Sequence, residues 1–401
     1  MKKKLLVLLI ILLIPTRALA LEYPKLNSKV VEVYDVTDNK VLYEIDSNKK
    51  SSIASLTKIA TTIAAIESIE NLDEEVVITR EILNTVSWDA SVAGLKAGDK
   101  VTYRDLLYAS ILPSGADATN SIAILSSGSI DNYVEKMNEL VTKIGLKNTY
   151  FVNVTGFDDE NHYSTADDCR KLLEYALKNK LFREVYSANE YTLSNGLTVK
   201  STIYKYNKKG VDTSKIIGSK TGYTGDAGYC FSSLSNLNGH EFITIVLNAD
   251  KSGENLLDTI SLLDFVNDNY KSEILITKGE VISKIPVKLS KINYYKIKTG
   301  SDVEKFLPSD YDKTSFKAKY IGLKKLSYRN KKGDKIGKIK YYFGDELFFE
   351  EDVILDIDIN FSIMKFIIMY WYLIVILVLI TLFFVIKLLF RKKHIKRKKK
   401  N

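Results

Sequence analysis

The sequence predicts an α+β protein: an antiparallel sheet with a helical cluster, followed by a small all-β domain and a C-terminal transmembrane helix. Strand-like segments lie on both sides of a run of helical patterns that extends from about Tyr103 to Leu181. Helices inserted between strands of one antiparallel sheet are typical of the α+β class. Short runs rich in Lys, Tyr and Ile, separated by Gly and Asp turns, follow from about Tyr270 and predict strands. An uncharged apolar segment, residues 366–386, comes last.

The elements of the larger domain follow in order from residue 30. Two β-rich runs on either side of Thr37-Asp38-Asn39 predict a hairpin. Apolar residues then recur at helical spacing, preceded by Ser52 as the predicted N-cap: Ile53, Leu56, Ala60 and Ile63. Beyond the helical run, KIIGSKTGYTGDAGYCFSSLS and EFITIVLNAD predict strands, and a helix with spaced apolar residues closes the domain: Leu256, Leu257, Ile260, Leu263 and Phe265. We place this domain at residues 21–270 and a β-rich spacer domain at residues 271–360.

The first 20 residues predict a secretory signal peptide. Lys2, Lys3 and Lys4 precede a Leu/Ile run that closes with Ala18-Leu19-Ala20, the small-residue pattern of a cleavage site. The alternative is an uncleaved N-terminal anchor. It is disfavoured because the apolar run is shorter than the roughly 20 residues that cross a bilayer.

The other end of the chain predicts a membrane anchor. Residues 366–386 hold no charged side chain, and the tail that follows, residues 387–401, holds nine basic residues and no acidic one. This length and this charge block favour a spanning helix with a cytoplasmic tail over a buried core helix. The body of the chain is therefore expected outside the cytoplasm, attached to the cell membrane by a single span.

The net charge does not indicate a nucleic-acid partner. The formal value of +9 becomes −4 when the nine basic residues of the tail and the four of residues 1–20 are set aside. The tail instead suits anionic lipid headgroups. The exported part carries no excess of positive charge with which to attract a polyanion.

Cysteine and histidine are scarce in this chain. Cys169 and Cys230 are too few for a disulfide scaffold, and their spacing leaves their pairing open. His162 and His240 are the only histidines before the tail, which weakens a Ser-His-Asp arrangement and disfavours a metal site. No cofactor is expected.

Ser55 and Lys58 form the first motif, in SIASLTKIATTIAAIE. Residues three apart share one face of a helix, so the amine of Lys58 is expected near the hydroxyl of Ser55. A helix N-terminus favours an oxyanion and disfavours the charged form of a buried lysine. A neutral Lys58 then accepts the proton of Ser55 as the hydroxyl attacks a carbonyl. Two other Ser-x-x-Lys spacings lack this setting, one in a polar string and one beside the predicted span: Ser47/Lys50 and Ser362/Lys365.

Two further motifs supply partners for this pair. Lys220-Thr221-Gly222 falls where a strand is expected, so it offers a cation and a hydroxyl to a substrate carboxylate, and its glycine lets the backbone come close. A second copy of the tripeptide, Lys298-Thr299-Gly300, falls in the spacer domain and is disfavoured. Ser114 follows Pro113 and begins a helical pattern, so it projects a hydroxyl from a loop between helices. An ordinary turn is the alternative for Ser114.

Four segments resemble one family of serine peptidases. SIASLTKIAT, LPSGADA, LKNTYFVNVTGFDDENHYSTADD and GSKTGYTGDAG are similar to the D-alanyl-D-alanine carboxypeptidases among the low-molecular-mass penicillin-binding proteins, whose motifs are Ser-x-x-Lys, Ser-x-Asn and Lys-Thr-Gly. The resemblance covers about residues 27–270 and extends more loosely through the spacer and the anchor. It implies a penicillin-binding/β-lactamase-like transpeptidase domain that removes the terminal D-Ala of peptidoglycan stem pentapeptides and is acylated by β-lactams.

The resemblance also implies a role for each matched residue. Ser55 is the acylated nucleophile and Lys58 is its base. Ser114, helped by Lys220, passes a proton toward the leaving D-alanine. The remaining groups hold the terminal carboxylate and the oxyanion of the substrate: Thr221, and the backbone N–H groups of Ser55 and Tyr223.

The chain departs from the family pattern in the middle motif. Ala116 stands where the family usually has Asn, so an amide that would orient Lys58 and bind the substrate backbone is missing. Asp117, Asn120 or a water molecule is expected to replace it. Loss of such a group commonly costs about 1–3 kcal/mol, which slows a reaction without abolishing it.

A second departure concerns the substrate carboxylate. No arginine occurs between Arg183 and Arg329, so the expected region has no arginine clamp. Lys251 is the predicted replacement.

Two alternative functions stay open on the sequence alone. A β-lactam hydrolase of the same fold is disfavoured, because Glu160 is followed by Asn161 in a loop that matches the carboxypeptidases better than a glutamate-centred deacylation motif. The other alternative is a non-catalytic sensor of the cell wall, in which Ala116 is a sign that the site has lost its catalytic function.

Overall fold

The computed structural model describes residues 23–207 and 210–398. The predicted signal peptide, residues 1–20, therefore lies outside the described residues. The chain divides into two compact units, Met1–Tyr270 and Lys271–Asn401.

The first unit is built on an antiparallel sheet. Its strands and short hairpin strands are β1 Val30–Asp35, β2 Lys40–Ile45, β3 Glu75–Val77, β4 Lys100–Thr102, β5 Glu190–Thr192, β6 Thr198–Lys200, β7 Ile216–Thr224, β8 Gly228–Leu237 and β9 His240–Ala249. Five of them form the main sheet, in the order β2-β1-β9-β8-β7. The predicted hairpin and the predicted C-terminal strands are confirmed. Strand β7 lies at the edge, so one side of its backbone is free to face a ligand.

The helical run is also confirmed. The helices are α1 Lys58–Ser68, α2 Arg80–Asn84, α3 Tyr103–Ile111, α4 Ala116–Ser127, α5 Ile130–Ile144, α6 Ala166–Leu177, α7 Lys180–Ser187, α8 Tyr204–Asn207 and α9 Glu254–Asn269. Most of these helices lie between β2 and β7 in the chain, and α9 follows β9 and packs against β8 and β9.

One face of the sheet packs on the helical cluster. Lys220, Ser232, Ile245 and Glu32 lie directly opposite one another across strands β7, β8, β9 and β1. Tyr186 of α7 bonds the Ser232 hydroxyl at 2.8 Å. Because residues opposite one another in a sheet point to the same face, Lys220 points toward the helices.

A buried ion pair joins helix α6 to strand β1. Nε of Arg170 donates to Oε1 of Glu32 at 2.9 Å, and Glu32 is 1% exposed. Burial raises the pKa of Glu32 to about 7, although the Arg170 charge opposes this rise. Removal of either partner would leave the other charge buried and unpaired, which is strongly destabilising.

Helix α1 is apolar on several sides, as its sequence predicts. Ile59, Ala60, Ile63 and Ala65 are at most 1% exposed. The predicted N-cap is wrong. The helical path begins with a 3-10 turn, Ala54–Thr57, whose cap position is held by Ile53 without a side-chain hydrogen bond. Ser52 lies before that turn, and the cap position of α1 itself is held by Thr57.

The second unit is all-β before its last helix, as predicted. Its strands are β10 Tyr270–Ile276, β11 Val281–Lys288, β12 Tyr294–Lys298, β13 Val303–Pro308, β14 Phe316–Gly322, β15 Leu326–Ser327, β16 Lys335–Phe343 and β17 Glu346–Ile354. They form three small sheets, β10-β13, β12-β11-β15 and β14-β16-β17. A separate core holds them together, centred on Ile297, Leu326, Ile339, Tyr341 and Leu355.

The chain closes with helix α10, Ile363–Lys398. Its segment Ile363–Arg391 is long and apolar enough to cross a membrane, and it contains the predicted span at residues 366–386. No side chain of the most apolar window is buried in the protein, which distinguishes this helix from a core helix.

Candidate active site

The structure brings Ser55 and Lys58 into direct contact. Nζ of Lys58 donates to Oγ of Ser55 at 2.8 Å and to the carbonyl oxygen of Thr155 at 3.0 Å. Ser55 lies in the 3-10 turn, and Lys58 is the first residue of α1, which follows that turn directly. The two residues are three apart, as predicted, but they belong to two consecutive helical elements. The Ser55 side chain stays half-buried and open to the cleft.

Burial sets the protonation of Lys58. The residue is 2% exposed, and this desolvation lowers its pKa to about 7, although the charge of Asp117 opposes the shift. At neutral pH a large fraction of the amine is therefore uncharged. An uncharged amine beside a hydroxyl can act as a general base.

Two glycines let the backbone pack closely around the serine. Gly156 has φ 88, and a Cβ at this position would lie 1.9 Å from the carbonyl oxygen of Ala54. A Cβ on Gly222 of β7 would lie 3.0 Å from the backbone nitrogen of Ser55. The close approach predicted for Gly222 is therefore present, while the role of Gly156 was not predicted from the sequence.

Lys220 and Ser114 form a second lysine–serine pair. Ser114 lies between α3 and α4 with a left-handed φ of 65. Nζ of Lys220 donates to its hydroxyl at 2.8 Å and to the carbonyl oxygen of Thr221 at 2.6 Å. Lys220 is completely buried, and burial followed by the nearby charge of Lys58 holds its pKa well below the usual value.

Ser55, Lys58 and Ser114 line one cleft, with a volume of about 590 Å³. Thr221, Gly222 and Tyr223 of edge strand β7 lie along this cleft. The Thr221 hydroxyl donates to that of Thr202 at 2.9 Å. Tyr223 is 58% exposed and stacks on Tyr229 with ring centroids 4.3 Å apart. The three motifs thus come together around one open space, which Lys220 does not line itself but reaches through its contact with Ser114.

Neither Asp117 nor Asn120 takes the place of the missing asparagine amide. The Asp117 carboxylate accepts backbone N–H groups at 2.8 to 3.0 Å, from Ala93, Gly94, Leu95 and Ala118. The Asn120 amide donates to the carbonyl and the hydroxyl of Thr85. Both side chains therefore hold the loop between α2 and β4, and this part of the prediction is wrong.

The backbone of Thr155 supplies an acceptor to Lys58 instead. Its carbonyl oxygen is the second partner of the Lys58 amine. It comes from a loop 97 residues further along the chain. A carbonyl group is present at every residue, so the sequence offers no signal that could have identified this one.

Lys251 does not line the cleft, so its predicted role is also wrong. Its backbone N–H bonds the carboxylate of Glu254 at 2.9 Å, in the turn before α9, and its neighbour Ser252 lines the cleft in its place. Lys205 of α8 is the exposed lysine among the cleft residues.

The second copies of the motifs have structural contacts of their own. The Thr299 hydroxyl donates to the carbonyl of Thr277 at 2.7 Å, and Gly300 N–H bonds Glu351. Ser47 bonds Glu44, and Ser362 lies at the start of α10. None of these residues lines the cleft.

None of His162, His240, Cys169 and Cys230 lines the cleft. Nε2 of His162 bonds the Thr57 hydroxyl at 2.8 Å, and burial lowers the His162 pKa to about 4. Cys169 and Cys230 are buried free thiols, so the pairing left open by the sequence is not formed.

The fold and the site together define a serine enzyme that carries out acyl transfer. An antiparallel sheet beside a helical cluster holds a serine against a buried amine of lowered pKa, and a second serine in the same cleft contacts a second buried lysine. Residues 17–251 match the family model described as D-alanyl-D-alanine carboxypeptidase, and residues 270–360 match that of the penicillin-binding protein 5 C-terminal domain. The first match covers more than half of the chain. The chain belongs to the D-alanyl-D-alanine carboxypeptidase family and is a serine-type carboxypeptidase.

Curated relatives of this chain have the same activity. It is 28% identical over 330 residues to D-alanyl-D-alanine carboxypeptidase DacF of Bacillus subtilis (strain 168), covering 80% of this chain and 83% of that protein. It is 34% identical over 219 residues to the D-alanyl-D-alanine carboxypeptidase of Streptomyces sp. (strain K15), covering 51% and 75%. The predicted family and activity are confirmed.

Solved structures agree on the fold. The chain is similar to penicillin binding protein 5 from Haemophilus influenzae, with a TM-score of 0.63 and 24% identity over 84% of this chain and 99% of that one. It is also similar to the Streptomyces K15 DD-transpeptidase, with a TM-score of 0.56 and 28% identity over 61% and 98%. The predicted transpeptidase-type domain with a β-rich domain after it is confirmed.

Proposed function

We propose that Ser55 is the nucleophile and Lys58 the base in removal of the terminal D-alanine from peptidoglycan stem pentapeptides. The single observation that carries this proposal is the 2.8 Å contact between Nζ of Lys58 and Oγ of Ser55. Burial keeps the Lys58 pKa near 7, so the amine can accept the serine proton at neutral pH.

The first chemical step forms the acyl-enzyme. Ser55 Oγ loses its proton to Lys58 and bonds to the carbonyl carbon of the penultimate D-alanine, and that carbonyl oxygen becomes an oxyanion. The backbone N–H groups of Ser55 and Tyr223 stabilise it. The close packing of Gly222 on the Ser55 nitrogen supports this assignment, because it brings the two backbone segments together.

Ser114 and Lys220 protonate the leaving group. The Ser114 hydroxyl accepts a hydrogen bond from Lys220, so its own proton is available for donation to the amide nitrogen of the leaving D-alanine. As the C–N bond breaks, the proton now on Lys58 replaces the one that Ser114 gives up. Water then hydrolyses the ester on Ser55 with Lys58 again as base, and β-lactams acylate the same hydroxyl.

The terminal carboxylate of the substrate binds beside strand β7. The Thr221 hydroxyl, which is hydrogen-bonded to that of Thr202, lies in this cleft, and Lys205 supplies a positive charge there. We assign to Lys205 the role that the missing arginine would have. A lysine acts here as a point charge and does not form the paired hydrogen bonds of a guanidinium.

The signal peptide spans residues 1–20, the catalytic domain residues 21–270 and the spacer residues 271–360. Helix α10 crosses the cell membrane once with residues 387–401 in the cytoplasm, as the basic tail supports. The catalytic domain then lies outside the cytoplasm, where its peptidoglycan substrate is found.

A labelled penicillin tests the site, with the full chain and the Ser55→Ala variant compared. The wild type should become covalently labelled and should release D-alanine from a pentapeptide that ends in D-Ala-D-Ala, whereas Ser55→Ala should do neither. Ser52→Ala is the matched control, because that hydroxyl lies three residues earlier and does not line the cleft. Equal labelling of Ser55→Ala would contradict the nucleophile assignment, and rapid turnover of penicillin without release of D-alanine would indicate a β-lactam hydrolase.

A further inference from the structure

Three segments of the second unit meet where the chain enters helix α10. Residues 287–293 and 323–335 flank residues 355–365, which lead into the helix; together we call them the collar. Two backbone hydrogen bonds and an aromatic pair join them: Ser362 N–H to Leu289 O (2.8 Å), Ile359 N–H to Asn330 O (3.4 Å), and Tyr328 with Phe361 (5.1 Å between ring centroids).

The collar holds the whole positive excess of this part of the chain. It contains nine basic and three acidic residues, whereas the rest of residues 271–365 contains eleven of each. The basic residues are Lys288, Lys291, Lys324, Lys325, Arg329, Lys331, Lys332, Lys335 and Lys365, and the acidic ones are Asp334, Asp356 and Asp358. The charge is therefore concentrated at one end of the unit.

The acidic groups of the collar bind backbone and hydroxyl donors, so none of them forms an ion pair with a basic side chain of the collar. Their donors are Lys331 N–H to Asp334 (2.9 Å), Lys332 N–H to Asp358 (3.0 Å) and the Tyr295 hydroxyl to Asp356 (2.7 Å). Lys335 pairs with Asp352 at 2.6 Å. Seven exposed basic side chains of the collar form no ion pair with any residue that the structure describes: Lys288, Lys291, Lys324, Lys325, Arg329, Lys331 and Lys332.

Exposed apolar side chains adjoin these charges. Phe361 is 43% exposed, Ile363 is 69% exposed and Met364 is 67% exposed, and all three precede the uncharged run at residues 366–386. Positive charge bordering apolar surface suits the interface of a bilayer, where phosphate groups lie above the acyl chains.

We propose that the collar binds the anionic phospholipid headgroups of the bilayer that α10 crosses. The inference rests on the proposed membrane span, because α10 then holds the collar at the bilayer surface. Basic side chains held at the bilayer surface would lie within a Debye length of the lipid phosphates, about 10 Å at 0.1 M salt. Binding there would limit the tilt of the β-rich unit over the membrane.

Hydrogen–deuterium exchange of the full chain in vesicles tests this surface. The chain is placed in phosphatidylcholine vesicles with and without phosphatidylglycerol, and exchange is followed at residues 287–293 and 323–335. The collar variant carries Lys291→Gln, Arg329→Gln, Lys331→Gln and Lys332→Gln. The matched control carries four exposed lysine changes outside the collar, with the same change of net charge: Lys278→Gln, Lys298→Gln, Lys317→Gln and Lys319→Gln.

Phosphatidylglycerol should slow exchange in the collar several-fold in the wild type and the control, and not in the collar variant. Salt at 1 M, where the Debye length is about 3 Å, should remove the effect. Equal exchange with and without phosphatidylglycerol would overturn the proposal. Slowing by a soluble glycerol-phosphate polymer, and not by the lipid, would overturn it in favour of a wall polymer.

Two readouts keep this test separate from the proposed function. Both variants should float with the vesicles, because α10 is unchanged, and both should be labelled by penicillin, because the cleft is unchanged. Loss of flotation in the wild type would contradict the span and with it the collar proposal. Loss of labelling alone would contradict the catalytic assignments and leave the lipid result to be judged on its own.

Discussion

Nζ of Lys58 lies 2.8 Å from Oγ of Ser55, and the lysine that makes this contact is only 2% exposed. The hydroxyl thus faces the cleft while its base is shielded from water. Burial is what makes an amine useful as a base at neutral pH, because it disfavours the charged form.

The rate of acylation by penicillin should rise with pH through about 7. Lys58 must be uncharged to accept the proton of Ser55, and burial lowers its pKa to about 7. Stopped-flow labelling with a fluorescent penicillin between about pH 5 and pH 9 measures this rise in the acylation rate. A rate that falls over the same range would contradict the role of Lys58 as base.

Asp117→Asn should move the rise in the acylation rate to lower pH. The Asp117 charge raises the Lys58 pKa, so its removal allows that pKa to fall further. The variant should also lose about 1–3 kcal/mol of stability, because the carboxylate accepts several buried N–H groups. Asp89→Asn is the control, since this cleft residue is not among the charges that shift Lys58. If the acylation rate of Asp117→Asn rose over the same pH range as that of the wild type, the electrostatic effect of Asp117 on Lys58 would be contradicted.

Lys58→Met should abolish acylation and stabilise the fold. The Lys58 pKa lies near 7 in the folded protein and near 10.5 when the chain is unfolded. Between these values the unfolded chain binds a proton that the folded chain does not, so stability falls as pH drops from about 10.5 to about 7. An apolar replacement of similar length removes this penalty, and we expect a gain of about 1–4 kcal/mol. Denaturant unfolding at pH 7 and pH 10 measures it, and the gain should shrink at the higher pH.

Gly156→Ala should reduce acylation and destabilise the protein. The added Cβ would lie 1.9 Å from the Ala54 carbonyl oxygen, so the turn that carries Ser55 must move. Gly128→Ala is the matched control, because Gly128 also has a positive φ, of 79, but has open space around its Cβ position. The control should lose about 1 kcal/mol of stability and keep its labelling rate. Equal loss of labelling in both variants would show that backbone strain, and not the contact with Ala54, is responsible.

Lys205→Gln should weaken binding of the pentapeptide. Its ammonium is the exposed lysine charge among the cleft residues, and we assign it to the terminal carboxylate of the substrate. We expect KM to rise by about 3- to 10-fold with kcat nearly unchanged, because a solvent-exposed ion pair contributes about 1 kcal/mol. Lys251→Gln, outside the cleft, should leave both constants unchanged. The opposite pattern, with Lys251→Gln raising KM, would restore the assignment made from the sequence.

The local features of this protein could be predicted from its sequence. The hairpin around residues 37–39, the apolar pattern of α1 and the uncharged run of α10 each depend on neighbours within a few positions. The contact of Ser55 with Lys58 belongs to the same class, because a spacing of three fixes which side chains share a helical face. The motif order also sufficed to identify the family.

The partners of these residues were decided by tertiary structure. Thr155 reaches Lys58 from 97 residues away, and Lys220 reaches Ser114 across 106 residues. Asp117 and Asn120 lie next to the missing amide in the sequence, yet their side chains hold the loop between α2 and β4 instead. Residues so far apart in the sequence come into contact only when the sheet and the helices pack. Short-range periodicity therefore cannot predict these contacts.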